Sequence, residues 1–306
     1  MTLTELRYIV SLAHERHFGR AAEACSVSQP TLSIAVKKLE EELGVILFER
    51  TRFEVAITPI GRRIVERARG VLNDMEDIKN IARQARDPCD GLLRIGAIYT
   101  IGPYLFPRLV PALHQLAPHM PLIIEENYTA RLRERLLQGE LDAVLVCLPF
   151  EESGVVTLPL YDEPFVVMLP AGHPWVHLDA IATADLASQT VLLLGAGHCF
   201  RDQVVALCPH CSEPPATESG LQRTVEASSL ETIRYMVASG LGITVLPGTA
   251  VAGHYASAFT AIRPFQSPPL RRVGLAWRVS FPRPQVIDVL REAVRRCALD
   301  CVSYLR

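Results

Sequence analysis

The chain carries almost no excess of charge of either sign. Its 31 Lys and Arg stand against 33 Asp and Glu, a net charge of -2 over 306 residues. That balance excludes a histone-like, uniformly basic nucleic-acid binder, but not a local basic face. No apolar run reaches the ~18 residues of a membrane span, so no membrane partner is expected. The opening Met1-Thr2-Leu3-Thr4-Glu5-Leu6-Arg7 lacks the basic-then-apolar layout of a secretion signal, so a cytoplasmic location is expected. Disulfides are uncommon there. A chain of this length, 49% hydrophobic, has core enough for about two domains without them. What is present in quantity is cysteine, eight residues, most of which fit the role of small buried side chains.

The first 57 residues carry a distinct pattern. Leu3, Leu6, Ile9, Val10 and Ala13 recur at helical spacing and predict a helix over 2–16. A short second helix follows from Gly19, with Ala21, Ala22 and Cys25 on one face. Ser28 or Gln29 can cap a third helix whose first turn accepts Pro30. Leu32, Val36, Leu39 and Leu43 form its apolar stripe and Gly44 its stop. Ser28, Gln29, Pro30, Thr31, Ser33 and Lys37 lie at its amino half, where a helix-turn-helix reader meets base edges in the major groove. Residues 46–57 then read as a two-stranded wing. It would carry Arg50 and Arg52 to the DNA backbone or minor groove. Residues 1–70 hold 11 Lys and Arg against 9 Asp and Glu, so DNA contact rests on placed residues and oligomerisation rather than bulk charge.

Thr58-Pro59 opens a long helix running to about residue 86. Ile60, Ile64, Ala68, Val71, Met75, Ile78, Ala82 and Ala85 make a heptad-like seam along it. Such a seam is expected to bury itself against a second copy, giving a dimer. Asp87-Pro88-Cys89-Asp90-Gly91 breaks the helix. The runs 18–22, 28–33, 39–44 and 47–50 resemble the N-terminal domain of LysR-type transcriptional regulators. That resemblance implies promoter DNA and RNA polymerase as partners and a tetramer built from two dimers.

From Leu92 onward strands and helices alternate, which predicts α/β sheets. Strands are expected at 92–98, 122–127, 141–146, 165–169, 191–194, 243–246 and 273–277. A last helix is expected from about Gln285 to Cys301. The family resemblance implies the two-lobed fold of periplasmic solute-binding proteins. The expected layout is then a winged helix-turn-helix over 1–58, a linker helix over 59–87 and a regulatory domain over 91–306. Lobe I would take 91–162 and 269–306, lobe II 163–268, with Pro-marked hinges near Asp162-Glu163-Pro164 and Ser267-Pro268-Pro269. Ligands in such sheets bind beyond the carboxyl ends of the strands. Thr100, Thr129 and the segment Gly195-Ala196-Gly197-His198-Cys199 all follow strands and can line one crevice, although each threonine alone also fits a helix cap.

Cys199 sits after a glycine-rich turn at the start of an expected helix, where a thiol loses its proton more readily. His198 and Arg201 are candidate cations or donors. A thiolate of this kind attacks peroxide to give a sulfenic acid that a second thiol resolves as a disulfide, and Cys208 lies nine positions on. Were 199–208 one helix, its ends would lie ~13 Å apart. A disulfide needs Cα atoms within ~7 Å, so that bond would force the segment to refold.

The run Gly197-His198-Cys199-Phe200-Arg201-Asp202-Gln203, with Cys208, is similar to the hydrogen-peroxide-responsive members of the LysR family. By that resemblance Cys199 is the peroxidatic cysteine and Cys208 the resolving one. His198, Thr100 and Thr129 position hydrogen peroxide, with Arg271 a further donor. Cys211 makes a Cys-x-x-Cys pair with Cys208 and is a competing partner. A zinc site on His198, Cys199, Cys208 and Cys211 is the alternative reading of that cluster, but no second pair has ligand spacing, so no metal and no cofactor is expected. Cys25, Cys89, Cys147, Cys297 and Cys301 read as structural, the last two sharing a helix face. Two other functions compete: a regulator gated by a small organic inducer in the interlobe cleft, and a thiol peroxidase or disulfide oxidoreductase.

Overall fold

Thr2 accepts from the Glu5 amide at 3.2 Å while the Glu5 carboxylate returns to the Thr2 amide at 2.7 Å. This capping box starts α1, Leu3–Glu15. The structure, a computed structural model, describes residues 1–50, 55–84, 89–209, 226–251 and 258–305. It divides into two units, Met1–Asp87 and Pro88–Arg306.

In the first unit α2, Phe18–Ala24, and α3, Gln29–Leu43, follow α1. Ser28 caps α3 through the Thr31 amide, and Gly44 ends it with a left-handed φ of 68° that suits glycine. Leu32, Val36 and Leu39 pack with Leu6, Ile9 and Leu12 of α1 in one core. The wing is β1, Phe48–Arg50, paired antiparallel with β2, Val55–Ile57. Glu40 of α3 accepts from the amides of Leu47 and Phe48 at 2.7 and 3.1 Å, which ties wing to helix. Helix α4, Pro59–Gln84, is capped by Thr58, whose Oγ1 accepts from the Gly61 amide at 2.9 Å. Val65 and Ala68 join the core of this unit, whereas Ile60, Val71 and Ile78 are exposed. The expected seam is therefore split between an inward face and an uncovered stripe.

The second unit contains β3 (Leu93–Ile98), α5 (Gly102–Leu116), β4 (Leu122–Asn127), α6 (Thr129–Leu137), β5 (Ala143–Leu148) and β6 (Val155–Pro170). After these come β7 (Leu193–Leu194), α7 (Cys199–Leu207), β8 (Glu226–Ala227), α8 (Leu230–Ala238) and β9 (Thr244–Pro247). The chain ends with β10 (Thr260–Pro264), β11 (Leu270–Arg278), α9 (Pro284–Arg296) and β12 (Ser303–Tyr304). Strand β3 runs parallel to both β4 and β5, and β11 lies antiparallel to β5 and β6. The buried run of β3 needs Gly96: a Cβ there would meet Leu132 of α6 at 2.6 Å and Leu141 at 2.8 Å. Two apolar cores result. One gathers side chains from 93–161 and 273–299, the other from 165–265.

Two expectations change. The strand expected at 165–169 is the second half of β6, a single strand that pairs with β11 up to Pro164 and with β9 and β10 from Phe165. The first chain crossing between cores is thus continuous strand. The last helix also stops earlier. Cys297 caps α9, and Ala298 turns left-handed at φ 46°, so Cys301 does not share its face.

Candidate functional site

Three parallel strands deliver their carboxyl ends to one place. Thr100 follows β3, Thr129 opens α6 after β4, and Cys147 lies near the end of β5. Across from them Gly197, at φ 95°, takes a conformation that L side chains resist, with Tyr128 packed 3.3 Å from where a Cβ would stand. This turn sets His198 as the N-cap of α7 and Cys199 as its first residue. A small cavity, with room for about one water-sized molecule, is lined by Thr100, Tyr128, Thr129, Gly197, His198 and Cys199 among others.

Cys199 is half-buried and in no disulfide. Its thiol is pulled down to about 6, first by a side-chain hydrogen bond from Cys147 and then by Thr129 and the Arg271 charge, against the opposing effect of burial. Its place at the amino end of α7 acts in the same direction. Thr129 Oγ1 is buried, has no partner of good hydrogen-bond geometry, and lies where it favours the thiolate. His198 is buried against the Tyr128 and Tyr99 rings, 4.7 and 5.8 Å between centroids. Burial lowers its basicity, which a bond to the Ser228 backbone partly offsets, and its Nε2 is buried without a partner. It is therefore a neutral hydrogen-bonding group here rather than a cation.

Arg271, on β11, is fully buried beneath this cavity. Its Nη1 and Nη2 donate to Thr100 Oγ1 at 2.9 Å and Thr100 O at 2.8 Å, and its Nε donates to Glu163 Oε2 at 2.7 Å. Nη1 also reaches Cys147 Sγ at 3.9 Å. Glu163 holds its other oxygen toward Thr249. Burial disfavours the charge of Arg271, but Glu163 outweighs that and keeps it protonated. Arg201 donates instead to the Leu194 carbonyl at 2.8 Å, fastening α7 to β7, and does not line the small cavity.

The remaining cysteines sort differently from the sequence reading. Cys208 caps the far end of α7 and is buried in the second core, where it is in a disulfide that does not involve Cys199 or Cys147. Cys211 lies outside the described residues. Cys147, read from sequence as structural, faces Cys199. Only its place at the carboxyl end of a parallel strand hinted at that.

At the other candidate interface, Ser28, Gln29, Pro30, Thr31 and Lys37 are exposed on the start and outer face of α3, and Ser33 is half-buried. Ser28 Oγ and Thr31 Oγ1 are 2.8 Å apart, and Lys37 lies 3.6 Å from Glu41. Arg50 is in β1, but its side chain and the whole of Arg52 lie outside the described residues.

Residues 3–62 match the family of bacterial regulatory helix-turn-helix proteins of the lysR type, and residues 87–298 match the LysR substrate binding domain. The DNA-binding transcriptional dual regulator OxyR of Escherichia coli K12 is 40% identical over 296 residues, covering 96% of this chain and 95% of that protein. The hydrogen peroxide-inducible genes activator of Pectobacterium carotovorum is 39% identical over 297 residues, 95% and 96% of the two chains. Among solved structures, full-length OxyR C199D from Pseudomonas aeruginosa superposes with a TM-score of 0.81 at 53% identity, covering 100% of this chain and 99% of that one. The chain belongs to the LysR family of bacterial transcriptional regulators.

Proposed function

We propose that this chain is a transcriptional regulator that senses hydrogen peroxide at Cys199. The observation that carries the reading is the setting of that thiol. It is acidic, at a helix amino terminus, in a cavity too small for an organic inducer, between two buried polar atoms without partners, Thr129 Oγ1 and His198 Nε2. Those atoms suit a hydroperoxide, which both donates and accepts. Thr100 is held in the same wall by Arg271. Arg201 secures the α7 turn. The relatives named for peroxide induction support the same reading.

Cys199 thiolate attacks one peroxide oxygen, the O–O bond breaks, and a sulfenic acid forms. In the form in which Cys208 is a free thiol rather than in the disulfide it makes here, its sulfur attacks the sulfenyl sulfur, the S–O bond breaks, the hydroxyl leaves with the Cys208 proton as water, and the Cys199–Cys208 disulfide forms. In the present fold these cysteines terminate α7 at opposite ends, so the bond requires α7 to unwind. That turns chemistry into a change of regulatory-domain shape and of oligomer packing on promoter DNA. One peroxide is consumed per switching event, so the protein acts as a regulator and not as a turnover enzyme.

DNA is read by α3 through Gln29, Pro30, Thr31, Ser33 and Lys37, with Ser28 as its cap and Arg50 and Arg52 on the wing. The uncovered stripe of α4 pairs two copies, and two dimers make the tetramer. RNA polymerase is the partner that reads the outcome, in the cytoplasm. The test is a promoter footprint with and without peroxide. Cys199→Ser is expected to bind DNA and lose the peroxide-dependent change. A full response in that variant overturns the reading.

A further inference from the structure

The core behind Cys199 holds a second thiol that the scheme above leaves unused. Cys147 is buried on β5, free of any disulfide, in the core against which Cys199 packs, and 3.9 Å from the Arg271 Nη1 that also holds Thr100 in the wall of the Cys199 cavity. Cys208, by contrast, lies beyond nine residues of helix, packs in the other core, and is itself disulfide-bonded. We propose that Cys147 is a local resolving thiol, which closes a Cys147–Cys199 disulfide inside the folded domain while α7 stays wound.

The chemistry balances without any further reagent. Cys199 thiolate takes one oxygen from hydrogen peroxide, the O–O bond breaks, and the released hydroxide is protonated to water. The Cys147 sulfur then attacks the Cys199 sulfenyl sulfur. The S–O bond breaks, and the Cys147 proton leaves with the hydroxyl as a second water. Two thiols and one peroxide give one disulfide and two waters.

The surroundings time this step. While Cys199 is a thiolate, its negative charge and hydrogen bond hold Cys147 protonated, together with burial. Oxidation turns Cys199 into a neutral sulfenic acid and removes the part of that restraint that Cys199 supplies. The Arg271 guanidinium, 3.9 Å from the Cys147 sulfur, then favours the second thiolate. A sulfur packed in the same core as its target needs side-chain rotation and local approach to reach the ~2.05 Å of an S–S bond. No helix has to unwind. The resulting state shields Cys199 from irreversible oxidation to sulfinic acid and leaves the α7 conformation of the reduced protein in place.

This inference rests on the proposed peroxide reactivity of Cys199, and the test separates the two. Full-length Cys208→Ser is treated with stoichiometric peroxide, alkylated and mapped by mass spectrometry. The expected product is a peptide pair linked through Cys147 and Cys199. In Cys147→Ser/Cys208→Ser, Cys199 is expected to accumulate as sulfinic acid at least about fivefold more than in Cys208→Ser. The unaltered chain, acid-quenched within seconds of peroxide addition, provides the same readout without any substitution, and the linked pair is expected there too. Oxidised Cys199 with Cys147 still free in both proteins overturns this inference and leaves the peroxide reading standing. Cys199 still reduced after excess peroxide overturns both.

Discussion

Arg271 and Glu163 face each other across paired strands β11 and β6, joined at 2.7 Å with both side chains fully buried. Two charges removed from water this completely depend on one another. Arg271→Met leaves the Glu163 carboxylate with the Thr249 donors alone, a loss of about 3–5 kcal/mol. At roughly 2–4 °C per kcal/mol for a unit of this size, the regulatory-domain Tm is expected to fall by about 10 °C in calorimetry. The double variant Glu163→Gln/Arg271→Met removes both charges and is expected to recover much of that loss. A double variant no more stable than the single one would show that the guanidinium acts through Thr100 rather than through its charge partner.

The same guanidinium and the Cys147 thiol set the acidity of Cys199, and the sign of the pH effect follows. A group whose ionisation lies near 6 is mostly thiolate at neutral pH. Its peroxide reaction should be flat above pH ~7 and fall about tenfold per unit below its pKa. Cys147→Ala deletes the largest of the favourable contacts, so the midpoint should move up by ~1–2 units. The rate at pH 7 then drops about two- to tenfold. Cys147→Ser keeps an O–H donor and should retain most of the depression. Stopped-flow thiol oxidation across pH 5–9 reads all three, and superimposable profiles for the alanine variant and the unaltered chain would refute this assignment.

Thr129 offers a narrower probe. Valine copies its shape and removes only the hydroxyl that lies near the reacting sulfur. Loss of a donor aimed at developing charge is expected to slow peroxide oxidation about ten- to a hundredfold. Thr129→Ser keeps the hydroxyl and should stay within a few-fold of the original rate. Equal slowing in serine and valine would point to packing of the threonine methyl instead.

Much of this is legible in the sequence. The capped third helix, with Ser28, Pro30 and Gly44 at their stated positions, needs only local chemistry, and so does the Thr58-Pro59 start of α4. The β3, β4 and β5 runs declared themselves by being apolar between turns. What stayed hidden depends on partners distant in sequence. Pro159 and Pro164 lie within β6 and argue against one long strand. The sheet accommodates Pro159 beside a register shift between Val273 and Gly274, which no local reading supplies. Cys147 sits in the buried run Ala143–Leu148, indistinguishable there from any small core residue. Only the packing of α7 against the strand ends brings a second thiol to it.

The α3 surface separates two kinds of DNA contact. Lys37 is exposed and carries charge, so Lys37→Ala should weaken binding to all duplexes alike and reduce the salt slope of affinity by about one. Gln29 carries none, and Gln29→Ala should cost about 1–3 kcal/mol on a cognate duplex selected from a random pool while leaving non-specific binding unchanged. Fluorescence anisotropy over a salt series distinguishes them. A uniform loss for both variants would mean that α3 does not enter the groove as proposed.

The uncovered stripe of α4 gives the last expectation. Ile60, Val71 and Ile78 expose 40%, 46% and 68% of their surface, although Val65 and Ala68 one face away are buried in the core of the unit. Apolar residues repeating at heptad spacing on an exposed helix bury themselves against a like helix. Val71→Glu/Ile78→Glu places a carboxylate on each of two contact points and touches no residue of the helix-turn-helix core. Light scattering at micromolar concentration should show the oligomer reduced by half, with the circular dichroism of the folded domains retained. If the mass is unchanged, a surface other than α4 holds the copies together, and the spacing of DNA half-sites must then be set by that surface instead.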